Sequence, residues 1–355
     1  MTTLRRGLLA AAVATLPLTA AAEPGFVAIE VDTMPIETFS LREGVSPFGE
    51  LTFMGGLVLF SDDDDFGALS GLDVADDGSF IAVADTGFWF TGRLIEEDGR
   101  LVGVADVARA PMLDADGEEA NRKSSADAEG LRLTDGGATA LVVFEQRHRL
   151  SAFATADLAF ARPRDLPLPA LPGLVGNRGI ESVAVAPEGS ALAGAIVLIA
   201  EAAGDGQGGT RAWIVGGPDP GAFSIRRSGT FDITDAAFLP NGDLFVLERR
   251  FSLSEGIAMR VRRFSQDDIR PGARITGQTI VFDDRLFQID NMEGLAVREG
   301  ADGAVILTLV SDDNHSLLQR TMLLQFMWQE EMIPLPLPRP EPLPDAEAAA
   351  ALGGG

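Results

Sequence analysis

Five stretches of the chain repeat one plan, and this repeat constrains the fold more than any single motif does. They begin Ser70-Gly71-Leu72-Asp73-Val74, Glu129-Gly130-Leu131-Arg132-Leu133, Glu181-Ser182-Val183-Ala184-Val185, Asp235-Ala236-Ala237-Phe238-Leu239 and Glu293-Gly294-Leu295-Ala296-Val297. Their first residues lie 59, 52, 54 and 58 positions apart. Apolar residues stand at the third and fifth places of each, the period of two expected of a strand with one buried face. A turn follows in every unit, among them Asp76-Asp77-Gly78, Asp135-Gly136-Gly137 and Pro240-Asn241-Gly242-Asp243. A second apolar run comes next, at 80–84, 140–144, 195–200, 244–247 and 305–310, and each ends on or beside an acid: Asp85, Glu145, Glu201, Glu248 and Asp312. Turn residues between two β-rich runs predict hairpins.

The first unit also shows a third and a fourth strand, at 88–95 and 101–107. Four antiparallel strands in a unit of this length are the build of a propeller blade. The expected fold class is therefore all-β, a β-propeller of six blades with four antiparallel strands each. Five blades come from the repeats. The sixth is expected from 26–60, closed by the C-terminal run 322–327. A β-sandwich is the main competitor, but it would not place an acid at matched positions of every unit.

Inner strands of a propeller run beside one channel, so equivalent residues at one strand end converge there. Glu129, Glu181 and Glu293 hold that place, with Asp235 in the fourth unit and Ser70 in the first. Carboxylates meeting in a low dielectric repel each other, and a bound cation relieves the repulsion. Oxygen-only ligation favours Ca2+, with Mg2+ as the second candidate. The chain has no cysteine and two histidines, which argues against thiolate or histidine zinc sites. Asp85 and Asp312 are candidate additional ligands. Cationic groups adjoin the acids: Arg147 and His148 after Glu145, Arg178 before Glu181, Arg249 and Arg250 after Glu248, with Asn314 and His315 after Asp312. An arginine fork suits phosphate or carboxylate, so these residues are candidates for binding a small anionic substrate or ligand. Phosphate-cradling loops and the serine-nucleophile elbow are absent.

Charge and the ends of the chain narrow the class further. With 28 basic and 53 acidic residues the formal net charge is −25, which disfavours nucleic acid as a partner. Residues 1–22, with Arg5 and Arg6, an apolar run and Ala20-Ala21-Ala22, read as a secretory signal. Export to the periplasm or medium is expected, by the general route or, given the paired arginines, the twin-arginine route. No later run is long enough to insert in a membrane. The propeller domain is expected over 23–330, followed by a disordered Pro/Ala/Gly-rich tail at 331–355.

Several motifs together resemble the bacterial "esterase-like activity of phytase" family of propeller proteins. They are Asp127-Ala128-Glu129-Gly130-Leu131, Phe144-Glu145-Gln146-Arg147-His148-Arg149, Gly179-Ile180-Glu181-Ser182, Leu247-Glu248-Arg249-Arg250-Phe251-Ser252 and Asn291-Met292-Glu293-Gly294-Leu295-Ala296, with Leu309-Val310-Ser311-Asp312-Asp313-Asn314. The resemblance covers roughly 50–327 and implies a propeller that hydrolyses a phosphate ester or related ester. Phytate itself calls for a strongly basic cleft, whereas Lys123 is the one lysine of this chain. The leading expectation is thus a Ca2+-dependent (phospho)esterase. In it Glu129 and Glu181 serve both metal and reaction, and Arg178 stabilises developing charge. The alternatives are a non-catalytic periplasmic binding propeller with structural Ca2+ and, more weakly, a lactonase.

Overall fold

A computed structural model of the chain describes residues 25–40, 49–120, 126–174, 179–252, 256–283, 287–300 and 303–329. The expected signal at 1–22 and the tail at 331–355 lie outside these residues. Five sheets, each of four or five strands, are arranged as blades. The innermost strands are Leu69–Val74, Ala128–Thr134, Ile180–Val185, Asp232–Phe238 and Met292–Glu299. Each pairs antiparallel with the strand that follows it: Ser79–Ala84, Thr139–Phe144, Ile196–Gly204, Leu244–Ser252 and Val305–Ser311. Third strands are Phe88–Glu97, Arg149–Ala154, Gly209–Val215, Gly256–Phe264 and Thr321–Trp328. Among the described residues helix is confined to two single 3-10 turns, Leu158–Phe160 and Gln266–Asp268, and to the one α-helical residue Ala126.

The ring has five blades, not the six that counting from sequence suggests. The N-terminal run does not build a blade of its own. Strand Leu51–Phe60 pairs along its length with Thr321–Trp328 and forms the fourth strand of the fifth blade, with Asp32–Ile36 outside it. Strand Val27–Ala28 pads the outer edge of the first blade. Closure by strands from both ends of the chain, expected from sequence, is thus found, but inside the last repeat. The reason is burial: Leu51, Leu57 and Val58 are almost wholly inaccessible, on a strand whose two neighbours cover both edges of its ladder.

Five apolar clusters fill the gaps between blades. Leu57, Leu323 and Val310 of the last blade meet Leu72, Phe80 and Phe90 of the first. Trp89, Leu131 and Phe153 join blades one and two, and Val143, Val183 and Trp213 join two and three. Ile199, Ile214, Val246 and Phe264 join three and four. Phe245, Val261, Leu309 and Phe326 join four and five. Alternation within each strand sends apolar side chains to both faces of a blade, and every face has a neighbour, so the ring is closed by packing as well as by pairing. No helix among the described residues is long and apolar enough to cross a membrane.

Candidate functional site

Each inner strand begins with a β-bulge. The register shifts fall between Leu69 and Gly71, Ala128 and Gly130, Ile180 and Ser182, Ile233 and Asp235, and Met292 and Gly294. A bulge leaves one residue out of the ladder and re-aims its side chain. The five bulged residues are Ser70, Glu129, Glu181, Thr234 and Glu293. Thr234, not Asp235, therefore holds the fourth place. The two shorter members secure the ring: Ser70 Oγ donates to the Ala128 carbonyl at 2.6 Å and Thr234 Oγ1 to that of Met292 at 3.2 Å. The three glutamates line a cavity of about 750 Å3 at the channel mouth. Inner strands approach closely just beyond the bulges: a Cβ on Gly130 would lie 2.6 Å from the Glu181 carbonyl oxygen.

A second tier rings the same cavity. The backbone amides of Asp85, Glu145, Glu201 and Asp312 donate to the carbonyls of Ala68, Asp127, Gly179 and Asn291 at 2.9–3.2 Å. Each of these carbonyls belongs to the residue two before a bulge. The equivalent pair in the fourth blade is Asp232 and Arg249. Arg249 thus stands where the other blades carry an acid. Glu248, the acid read there from sequence, turns away and is buried between Arg260 and Arg262.

The result is a cup lined by eight carboxylates, those of Asp85, Asp127, Glu129, Glu145, Glu181, Glu201, Glu293 and Asp312, together with Arg249 and Asn291. Oxygen atoms of Asp127, Glu129 and Glu145 lie within 4.8 Å of one another. Two ionised carboxylates about 5 Å apart repel by about 3 kcal/mol at an effective dielectric near 20. Arg249 Nε lies 2.9 Å from Glu293 Oε1, and its Nη2 3.9 Å from Glu201 Oε1. Asn291 Nδ2 donates to Glu293 Oε1 at 2.9 Å, the Gly179 amide to Glu145 Oε1 at 3.2 Å, and the Asn314 amide to Asp312 Oδ1 at 2.7 Å.

Burial and crowding shift five of these acids upward. Burial and then the charges of Glu181, Asp127 and Glu145 hold the Glu129 carboxyl well above its ordinary range. Glu181 is raised likewise, by burial and then by Glu201 and Glu145. Burial takes Glu145 to about 7 against the Gly179 hydrogen bond. Glu293 reaches about 7, burial outweighing the attraction of Arg249. Asp312 reaches about 6, again by burial, against the Asn314 bond.

Beneath the cup the channel is crossed by Arg132, a buried residue of the second inner strand. Its Nη1 lies 3.4 Å from Asp73 and its Nη2 3.3 Å from Asp235. It also donates to the carbonyls of Val183 at 3.3 Å and Ala236 at 2.9 Å. Asp73 accepts from the Leu133 amide and Asp235 from that of Leu295, both at 2.7 Å. One arginine and two aspartates thereby link the inner strands of all five blades and floor the cup.

Of the residues picked out from sequence, Glu129, Glu181, Glu293, Asp85 and Asp312 meet in the cup, with Arg249 and Asn314. Arg147 and His148 instead line a separate cavity of about 800 Å3 with Arg149, Asp114, Asp116 and Asp165. Arg250 packs its guanidinium over the Phe231 ring, 5.1 Å from the centroid. His315 is exposed on the turn beyond Asn314 and does not line the cup. Arg178 lies outside the described residues. Sequence reasoning missed Asp127 as a site residue and did not assign Glu145 or Glu201 to it. The latter two belong to the recurrent second-strand acids, which was the available signal. Asp127 carries none, because its counterparts are Ala68, Gly179, Asp232 and Asn291.

No curated protein matches the chain. Among solved structures it is similar to a Trichoderma reesei protein of carbohydrate-active enzyme family AA12, at 14% identity and TM-score 0.43 over 86% of this chain and 98% of that one. It is similar also to the PQQ domain of pyranose dehydrogenase from Coprinopsis cinerea, at 11% identity and TM-score 0.40 over 84% and 97%. A third likeness is to hydrazine synthase of Kuenenia stuttgartiensis, at 12% identity and TM-score 0.38 over 71% and 78%. A family model described as phytase-like, "Esterase-like activity of phytase", matches residues 64–315.

Proposed function

The chain belongs to this phytase-like family, and on that premise we propose that it is an exported hydrolase of a phosphate ester or related ester, working through a divalent cation held in the cup. One observation carries the reading: among the described residues, eight carboxylates from four blades converge on one cavity whose lining includes one arginine. The donor set is all oxygen, which fits Ca2+ first and Mg2+ second. Asp127, Glu129 and Glu145 are the primary ligands proposed, with Glu293, Asp85 and Asp312 completing the set around them. A cation there would polarise the ester and lower the pKa of a bound water.

The chain's own groups supply the rest. Arg249, anchored between Glu293 and Glu201, is placed to meet negative charge developing on substrate oxygen. Glu181, whose carboxyl is raised above its ordinary range by burial and its acidic neighbours, is the group proposed to pass a proton to a leaving oxygen. The Arg132 floor closes the far end, so substrate enters and product leaves by the same mouth.

The test starts from chelator-treated protein. Calorimetric titration is expected to detect Ca2+ binding, and Glu129→Gln to weaken it at least about tenfold. Hydrolysis of p-nitrophenyl phosphate or p-nitrophenyl acetate should exceed background in Ca2+, vanish with chelator, and fall about 100-fold in Glu181→Gln. Background rates under every condition would remove the hydrolase. If Glu129→Gln instead lowered only the melting temperature, the ion would be structural and the protein a binding propeller.

A further inference from the structure

The cup is not polar on all sides. Its rim over the fourth and fifth blades carries an apolar strip: Phe251, Ile257 and Leu318 line the same cavity as the carboxylates, with Ser316 and Gln319 beside Leu318. Phe251 is 64% exposed and Leu318 is 93% exposed, with Leu317 beside it wholly in water. Their placement follows from the fold. Phe251 lies two residues beyond Arg249 on one strand, so both side chains leave the same face and Phe251 sits one step further out. Ile257 is its direct partner across the hairpin, and opposed residues share a face. Leu318 stands on the turn after Asp312. That turn is held by Asp313, which accepts from the Ala68 amide at 2.9 Å and the Thr321 hydroxyl at 2.8 Å. The leucines are therefore presented to solvent from an anchored turn.

From this we infer that the ligand of the cup is a small amphiphile. A phosphate or ester head group sits among the carboxylates and their cation, and an alkyl or aryl tail lies over Phe251, Ile257 and Leu318. The inference rests on the proposed cation reading, because without a cation the acids would repel an anionic head. It deepens that reading by naming the substrate class: monoesters with an apolar substituent, in place of highly charged polyphosphates. The continuity of the acidic and apolar linings within one cavity is what selects a single molecule carrying both chemistries.

Binding separates the two claims. Full-length protein loaded with Ca2+ is titrated calorimetrically with methyl phosphate and with octyl phosphate below its micelle concentration. Octyl phosphate is expected to bind at least about tenfold more tightly, the effect of fully burying about two methylenes. In Phe251→Ser/Leu318→Ser that ratio should fall to within about twofold, while Ca2+ affinity stays at the wild-type value. Both side chains are exposed, so the variant is expected to fold. Ca2+ binding with equal affinities for the two phosphates would overturn the amphiphile and leave the cation site standing. Failure of Ca2+ and of both phosphates to bind would take down both. Sedimentation with phosphatidic acid vesicles, without a preference for monomeric octyl phosphate, would overturn the single-molecule ligand in favour of a lipid surface.

Discussion

Glu145, Glu293 and Asp312 take protons at about 7, 7 and 6 in the fold, against 4.5 and 3.8 for free glutamate and aspartate. Between pH 4 and 7 the unfolded chain therefore binds fewer protons than the folded one, and stability falls as pH rises. The stabilising protonation is complete below pH 4 and lost above 7. A divalent ion can replace those protons. In chelator the melting temperature is expected to drop from pH 5 to pH 8; excess Ca2+ should flatten or reverse the trend. A melting temperature that rises with pH in chelator would show that the cup acids are not crowded as described. Convergence of Glu129, Glu181 and Glu293 was legible because they recur at one strand phase. Asp127 was not, because no period marks it.

The element that organises the site is the bulged inner strand, and the bulge is also why the register was misread in one blade. In the fourth unit both candidate phases put apolar residues at the third and fifth places: Ala236 and Phe238 after Thr234, or Ala237 and Leu239 after Asp235. The periodicity could not choose. The same slip of one residue exchanged Glu248 for Arg249. What chooses in the structure is the partner at the ring centre, since Asp235 sits at the close-packed place that glycine fills in three other blades and reaches Arg132. Arg132→Met would leave Asp73 and Asp235 buried without their counter-charge, and about 3–5 kcal/mol of stability should be lost in a urea titration. Adding Asp235→Asn should recover part of this. A single substitution within about 0.5 kcal/mol of wild type would mean the floor contributes nothing.

At the scale of the molecule, all-β architecture and ring closure by both chain ends followed from turn chemistry and repeat spacing. The blade number did not, because strand 51–60 looks the same in sequence whether it founds a blade or completes one. Long-range pairing decides that, and here the partner lies some 270 residues away, at 321–328. A chain starting at Ser61 would expose the edge of that partner, an open ladder flanked by apolar side chains. It is expected to elute as aggregate in size-exclusion chromatography and to lose the cooperative thermal transition of the full chain; a monomer with an unchanged transition would refute the closure. The same pairing has a consequence for biosynthesis. On the ribosome, Leu51–Phe60 emerges early and must wait for Thr321–Trp328, so four blades are made before the ring can lock. Until that strand leaves the ribosome the nascent propeller stays an open arc, with its first and last blades both lacking a neighbour.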